Sequence, residues 1–362
     1  MPNASICLMV GPFPAPVHGF SVANAAVREA FEGSGHTVRS FNTASTKDGK
    51  IHRLVHLLRC HLRFLVAAAT YRRHACMYLA VSGGSGQYSD LLFAAGARLF
   101  GLNIVFHHHS FSYLSRFLRS MSCLAKVGGG RALHVTLCKD MRRLLCGRYS
   151  AVRRTMILSN AALLSVPRDD MIDSDRSDER RLQTLGYFGN ITFEKGIDRF
   201  LALITTLRAS GVPIQGQVAG PIIDPACRKI VDAAVADHAV TYHGPLYGEE
   251  KAGFFDRIDL LVFPSRYPNE AEPFVVLEAM SAGVPVIATA RGCTPALVDN
   301  GAGVLLDDEG RDLSPAVRQI SRWVAGTDPF PAVCRAARDR AAMLRESGIK
   351  ARSELISKIF GG

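Results

Sequence analysis

Several things are missing from this 362-residue chain, and each absence narrows its class. It has no Cys-x-x-Cys pair. Its nine cysteines, at 7, 60, 76, 123, 138, 146, 227, 293 and 334, are scattered, odd in number and mostly flanked by apolar residues. Buried, reduced thiols in a cytoplasmic protein are therefore expected. No run of about 18 uncharged apolar residues occurs, so no spanning helix is expected. Met1–Val10 lacks a basic start and a long apolar stretch, so no secretory signal is expected. Acidic residues are scarce in the first part: residues 1–160 carry 5 Asp and Glu against 20 Lys and Arg, or +15, while the remainder carries −4 of the overall +11. Such asymmetry speaks of an anionic partner for the N-terminal half. No recognised nucleic-acid motif accompanies it, so nucleic acid is not the expected partner.

What is present is an α/β pattern. Length suggests two domains, and an apolar fraction of 48% is enough for two cores. Apolar runs of four to seven residues predict strands near 5–10, 37–41, 76–81, 103–107, 133–137 and 155–158. A second series is predicted near 184–188, 214–219, 240–243, 260–263, 284–288 and 303–306, with helix-period segments between strands. Alternation of this kind predicts parallel sheets covered by helices, here two Rossmann-like domains with sites beyond the carboxyl ends of the strands, in a crevice between domains. The break falls at residues 161–181, which are acid-rich and poor in apolar residues, so a linker is expected between domains at 1–160 and 182–345. Asp173-x-Asp175 in that linker resembles a metal motif but lacks the strand context, and is read as solvated. A closing helix is expected over 346–362.

The stretch from Leu260 to Thr289 is the most informative. Leu260–Phe263 reads as a buried strand, Ser265–Glu272 as a loop, and Pro273 suits a first helical turn because its missing N–H is an orphan there anyway. The helix should end near Ala282 with Gly283 as its cap, before a strand at Val284–Ala288. Glu270 then lies in the loop and Glu278 on the helix. A free helix N-terminus favours phosphates, and carboxylates accept from sugar hydroxyls, which is the pairing a nucleotide-sugar requires.

Glu270-x7-Glu278 followed by Ala279, Met280, Gly283, Pro285, Val286 and Ile287 resembles the signature of the retaining, GT-B-fold glycosyltransferases of family 4 (glycosyl transferases group 1). Gly35-His36-Thr37-Val38, Gly186-Tyr187-Phe188-Gly189-Asn190 leading to Glu194-Lys195-Gly196, and Asp259 with Pro264 and Ser265 match further elements in order, so the likeness runs along essentially the whole chain. It implies a GT-B fold with an N-terminal acceptor domain, a C-terminal nucleotide-sugar domain and a final helix crossing back to the first. It also implies roles. Lys195 would face the diphosphate, Glu278 the ribose, Glu270 the donor sugar, and backbone N–H groups near Phe274 and Val275 the diphosphate. One departure stands out: Asn190 occupies the position where many members carry an arginine, and supplies a hydrogen bond without charge.

Other segments are read against plainer alternatives. Three histidines, His107, His108 and His109, end the strand at 103–107. Strand alternation sends His107 and His109 to one side and His108 to the other. Zinc is not expected, since no carboxylate or cysteine lies at a matching spacing. The family often places a histidine here near the transferred sugar, with His109 the first choice and His108 the second. In the loop Gly11–Gly19, Ser21 is expected to open the helix and Gly19 to approach the donor. Gly83-Gly84-Ser85-Gly86 is a weak phosphate-loop echo or an acceptor-lining loop. Residues 51–74 form a basic amphipathic helix. Its apolar stripe is Leu54, Leu57, Leu58, Leu62, Leu65 and Val66, and its cations are Arg53, Arg59, Arg63, Arg72 and Arg73. This reads equally as domain core or as an anionic membrane-surface and acceptor element.

The resemblance thus implies an enzyme, a hexosyltransferase moving sugar from a UDP- or GDP-sugar to a glycan or lipid-linked saccharide. Bacterial polysaccharide or glycolipid synthesis is the implied setting, with no cofactor and no obligatory metal, in the cytoplasm or peripherally on the inner membrane face. Alternatives are a GT-B-type epimerase or hydrolase, a non-catalytic membrane-associated scaffold and, more distantly, a Rossmann dehydrogenase.

Overall fold

The computed structural model describes residues 6–45, 49–164, 180–299, 301–307 and 309–361. Among the described residues, twelve strands occur at the twelve positions that the apolar runs predict. The first six are β1 (Ile6–Gly11), β2 (Thr37–Asn42), β3 (Ala75–Val81), β4 (Asn103–His108), β5 (Leu133–Thr136) and β6 (Arg154–Ile157). The second six are β7 (Thr184–Phe188), β8 (Gln215–Ala219), β9 (Val240–Tyr242), β10 (Leu260–Phe263), β11 (Val286–Thr289) and β12 (Gly303–Leu306). They form two six-stranded parallel sheets, ordered β2-β1-β3-β4-β5-β6 and β12-β11-β10-β7-β8-β9. The chain divides into two compact units, one of residues Met1–Leu163 with Arg345–Gly362 and one of Leu164–Leu344.

Central strands are buried along their whole length because helices flank a parallel sheet on both faces. All residues of β1, β3, β10 and β11 are buried. β2, with a single neighbour, buries only Phe41. In the second unit Leu185, Leu203, Val218, Leu260 and Ile287 share one core, each buried side chain contributing roughly 1.5–3 kcal/mol. Phe200 and Tyr187 pack there with ring centroids 5.7 Å apart.

Strand order locates where a ligand would bind. In the second sheet the chain leaves β7 towards β8 and β9, then returns to the other side of β7 with β10, β11 and β12. The switch point lies between the carboxyl ends of β7 and β10, where diverging connections leave a crevice. The first sheet switches likewise between β1 and β3.

Several local expectations are corrected. The helix after β1 is Gly19–Gly33, opened by His18 rather than Ser21. His18 Nδ1 accepts from the Ser21 N–H, and Ser21 Oγ accepts from the His18 N–H. The final helix runs over Phe330–Phe360, longer than the expected 346–362. Its end belongs to the first unit, where Phe360 stacks on His36 at 3.8 Å and Arg352 donates to the Ala162 carbonyl at 2.9 Å. Residues 160–163 form a buried 3-10 turn rather than the start of a loose linker. Most of that linker, with Asp173 and Asp175, lies outside the described residues. The reduced-thiol expectation is corrected at Cys138 and Cys293, which are not free, and the burial expectation at Cys123 and Cys146, which are exposed.

Candidate functional site

The switch point of the second sheet gathers the residues that the sequence singles out. After β7 the chain turns through Gly189–Gly196 into helix Ile197–Ala209. The Tyr187 hydroxyl donates to the carbonyls of Asn190 (3.1 Å) and Lys195 (3.4 Å), tying both ends of this loop together. Arg266, just past β10, braces it from outside. Its backbone N–H donates to the Glu194 carbonyl at 2.7 Å, and its guanidinium reaches the Phe193 carbonyl and Asp198.

Lys195 emerges from this braced loop and meets Glu270 at 2.6 Å. Ser265 Oγ donates to the same carboxylate oxygen at 2.8 Å. Lys195 Nζ also lies over the Tyr267 ring, 4.6 Å from its centroid, and 5.9 Å from that of Phe263. Glu270 is only 8% exposed, so it is not a solvated loop acid. A buried carboxylate of this kind needs its cation and its hydroxyl donor, because unpaired it would be strongly destabilising.

Two glycines make the approach of the loops to one another feasible. Gly196 has φ +82, and a Cβ there would lie 2.2 Å from the Pro264 carbonyl oxygen. Gly292 has φ +63, and a Cβ there would lie 2.6 Å from the Glu270 carbonyl oxygen. Gly196→Ala is therefore expected to combine left-handed strain with a backbone clash and to lower stability by about 2 kcal/mol or more. Urea unfolding of the variant checks this, and an unchanged midpoint would contradict it.

Glu278 lies in the helix that starts beside this loop, Phe274–Ser281, whose first residue follows Pro273 as N-cap. Proline is thus one position earlier than a first-turn placement. No side chain caps this helix, so the N–H groups of Phe274 and Val275 face outward from the helix start. Glu278 Oε1 accepts from Lys251 at 2.6 Å, while its Oε2 is buried without a hydrogen-bond partner among the described residues. Asn190 is exposed at the loop tip. Asp259 sits instead at the opposite end of the strands, accepting from the N–H groups of Gln183 and Thr184 and pairing with Arg180, a structural role.

Motif spacing marked Ser265 only as a strand-end match, with no role, and did not reveal Tyr267, Arg266 and Lys251 as members of this site. Ser265 and Tyr267 lie within the informative stretch, but a serine and an aromatic in a loop carry no periodicity. Lys251 stands in the charged run Glu249-Glu250-Lys251 of helix Gly248–Asp256 and looks like any solvated lysine in sequence.

In the first unit, the histidine triplet divides as strand alternation requires. The rings of His107 and His109 lie 4.0 Å apart on one side, and His109 packs 5.2 Å from Phe20, the residue after Gly19. On the other side His108 uses both nitrogens, Nδ1 with Tyr113 Oη and Nε2 with His134 Nδ1, each at 3.0 Å. Among the described residues, no three His, Cys, Asp or Glu side chains are grouped so as to hold a metal ion. Burial lowers all of these histidines: His109 to about 3, His134 to about 4, and His107 and His108 well below the ordinary value. His109 is thus a neutral imidazole whose Nε2 has no partner among the described residues, able to make a hydrogen bond but not to supply charge. Nearby, Asp90 is pushed up to about 7 by burial, although Ser82 donates to it from its N–H (2.7 Å) and Oγ (3.2 Å).

The basic amphipathic segment is a helix over Lys50–Tyr71. Its buried face is Cys60, Phe64, Ala67 and Ala68. Leu54, Leu58, Leu62 and Val66 of the predicted stripe face outward together with Ile51 and Val55, while Leu57 and Leu65 are half-buried, so the stripe divides between core and outward face. Arg53, Arg59 and Arg63 are exposed beside it. Arg72 lies past the helix, in the 3-10 turn Arg72–His74, and the side chain of Arg73 lies outside the described residues. Among the described residues, no helix is long and apolar enough to cross a membrane.

Residues 183–322 match the family model for glycosyl transferases group 1. D-inositol 3-phosphate glycosyltransferase from Arthrobacter sp. (strain FB24) is 38% identical over 81 residues, 22% of this chain and 19% of that protein. The corresponding protein of Corynebacterium jeikeium (strain K411) is 36% identical over 89 residues, 25% and 20% of the two chains. The chain thus spans about a fifth of the length of these curated relatives. Among solved structures, sucrose-phosphate synthase from Thermosynechococcus elongatus matches with a TM-score of 0.74 at 17% identity, over 98% of each chain. Anabaena HepE in complex with UDP and glucose matches with a TM-score of 0.67 at 15% identity, over 98% of this chain and 100% of that one. The fold is therefore GT-B, and residues 183–322 of it are the part that matches the glycosyl transferases group 1 family.

Proposed function

We propose that this chain is a retaining glycosyltransferase that moves a sugar from a UDP- or GDP-sugar to a glycan or lipid-linked saccharide. The observation that carries this reading is the Lys195–Glu270–Ser265 cluster at the switch point, beside an uncapped helix start and the half-free Glu278 carboxylate. In it, Lys195 and the N–H groups of Phe274 and Val275 hold the diphosphate and stabilise the charge that develops as it leaves. Glu278 accepts from the ribose hydroxyls, and Glu270 from hydroxyls of the donor sugar. No side chain stands out as a nucleophile, so the acceptor oxygen attacks the anomeric carbon on the face that the phosphate leaves. The C–O bond to phosphate breaks as the new glycosidic bond forms, and the acceptor proton passes to the departing diphosphate. A lysine and a helix dipole supply the positive charge, so no metal is obligatory in this scheme and turnover should persist in EDTA. A bacterial polysaccharide or glycolipid pathway is the setting we favour.

The test is nucleotide release from a panel of UDP- and GDP-sugars in EDTA, with and without membrane lipid extract. Acceptor-dependent release from one donor is expected. Release without acceptor would point to hydrolysis or epimerisation, and failure to bind any nucleotide would overturn the reading.

A lipid-linked acceptor fits the outward face of helix Lys50–Tyr71, whose exposed Ile51, Leu54, Leu58, Leu62 and Val66 run beside Arg53, Arg59 and Arg63. We take this face to rest on an anionic membrane surface, each cation contributing about 1 kcal/mol. Flotation with vesicles rich in phosphatidylglycerol is expected to carry the protein, and vesicles of phosphatidylcholine to carry much less. The variant Leu58→Glu/Leu62→Glu/Val66→Glu should lose flotation; equal recovery with both vesicle types would refute this placement.

A further inference from the structure

We propose that Lys251 is the second cation of the nucleotide-sugar site and supplies the charge that Asn190 does not. This inference rests on the nucleotide-sugar reading above. Lys251 Nζ lies 2.6 Å from Glu278 Oε1 and 5.2 Å from the ring centroid of Phe188. Phe188 is the last residue of β7 and stands two positions before Asn190. Lys195 has the matching arrangement one strand away, paired with Glu270 and lying over Phe263, the last residue of β10. β7 and β10 are hydrogen-bonded neighbours, so their ends are about 5 Å apart. Each of the two strand ends at the switch point therefore carries one lysine, one aromatic ring beneath it and one carboxylate beside it.

Charge balance explains why the second lysine is required. Glu278 offers a buried, unpartnered Oε2 to an incoming hydroxyl, but a bare carboxylate at this place would repel a diphosphate. Lys251 holds Oε1, fixes the carboxylate with Oε2 free, and cancels its charge. Its ammonium has three donors, so it can keep Glu278 and still take a phosphate oxygen. Both partners are about one-quarter exposed, at 27% and 26%, open enough for a ligand to reach. Asn190, exposed and uncharged, leaves this flank with Lys251 as its cation.

The experiment is calorimetric titration with whichever of UDP and GDP the wild-type chain binds, and with the corresponding nucleoside. For Lys251→Met, affinity for the diphosphate is expected to fall about tenfold or more, and that for the nucleoside, which still uses Glu278, by a distinctly smaller factor. Lys251→Arg should keep most of the affinity, and Asn190→Arg added to Lys251→Met should restore it. Thermal melting of each variant separates these effects from loss of fold. Equal weakening of diphosphate and nucleoside, unchanged diphosphate binding, or no rescue by Asn190→Arg would each overturn the assignment. A wild-type chain that binds neither nucleotide would instead remove the nucleotide-sugar reading on which it rests.

Discussion

Lys195→Met is expected to lower turnover by about 10²- to 10³-fold, the cost of removing one preorganised donor from a site where charge develops. The variant has a second consequence, because Lys195 is also the counter-ion of a nearly buried carboxylate, 2.6 Å away. Removing one partner of a buried pair destabilises by about 3–5 kcal/mol at full burial, and by less here since the lysine side chain is 24% exposed. The two effects separate in a double variant. Glu270→Gln removes the stranded charge and keeps a group that Ser265 can still reach, so Lys195→Met/Glu270→Gln should melt nearer the wild type than Lys195→Met alone. Turnover should stay low in both. Recovery of turnover together with stability would show that Lys195 acts only as a structural counter-ion.

The first unit is expected to lose stability steeply as pH falls from about 6.5 towards 5, before the second unit does. The cause is the set of buried neutral histidines, His107, His108, His109 and His134, all lowered by burial, with His109 near 3 and His134 near 4. Unfolded, each binds a proton at its ordinary value of 6.5. Between that value and the folded values the unfolded state binds more protons, so stability present above 6.5 is lost on acidification. Asp90 works in the opposite direction, because its pKa, raised to about 7, lets the folded state bind one proton that the unfolded state releases above the ordinary carboxyl value of 3.8. The balance at pH 5 is a deficit of about three protons, or roughly 4 kcal/mol per pH unit, large against a typical domain stability of about 5–15 kcal/mol. Hydrogen exchange resolved along the full chain at pH 7 and pH 5 checks this. Protection in β3, β4 and β5 should fall before that in β7, β8 and β10, and equal or reversed loss would contradict the prediction.

The sequence by itself determined a great deal of this protein. Buried parallel strands must be short apolar runs, and these are local, so all twelve strands were legible, and with them the two sheets. The Glu270–Glu278 spacing was legible because a strand, a loop and a helix start are all encoded within thirty residues. Strand alternation correctly divided His107 and His109 from His108, since that depends only on a period of two.

What tertiary structure alone decided was which charges meet. Lys195 and Glu270 are 75 positions apart, and Lys251 and Glu278 are 27 apart. No periodicity connects them; the switch in strand order between β7 and β10 does. Burial also reassigned meaning. It turned Glu270 from a loop acid into a held carboxylate and made four histidines neutral. It also left Leu54, Leu58, Leu62 and Val66 on the outward face, where sequence allowed core or surface equally. Each of these outcomes depends on desolvation and on partners brought from distant parts of the chain, which a linear pattern does not carry.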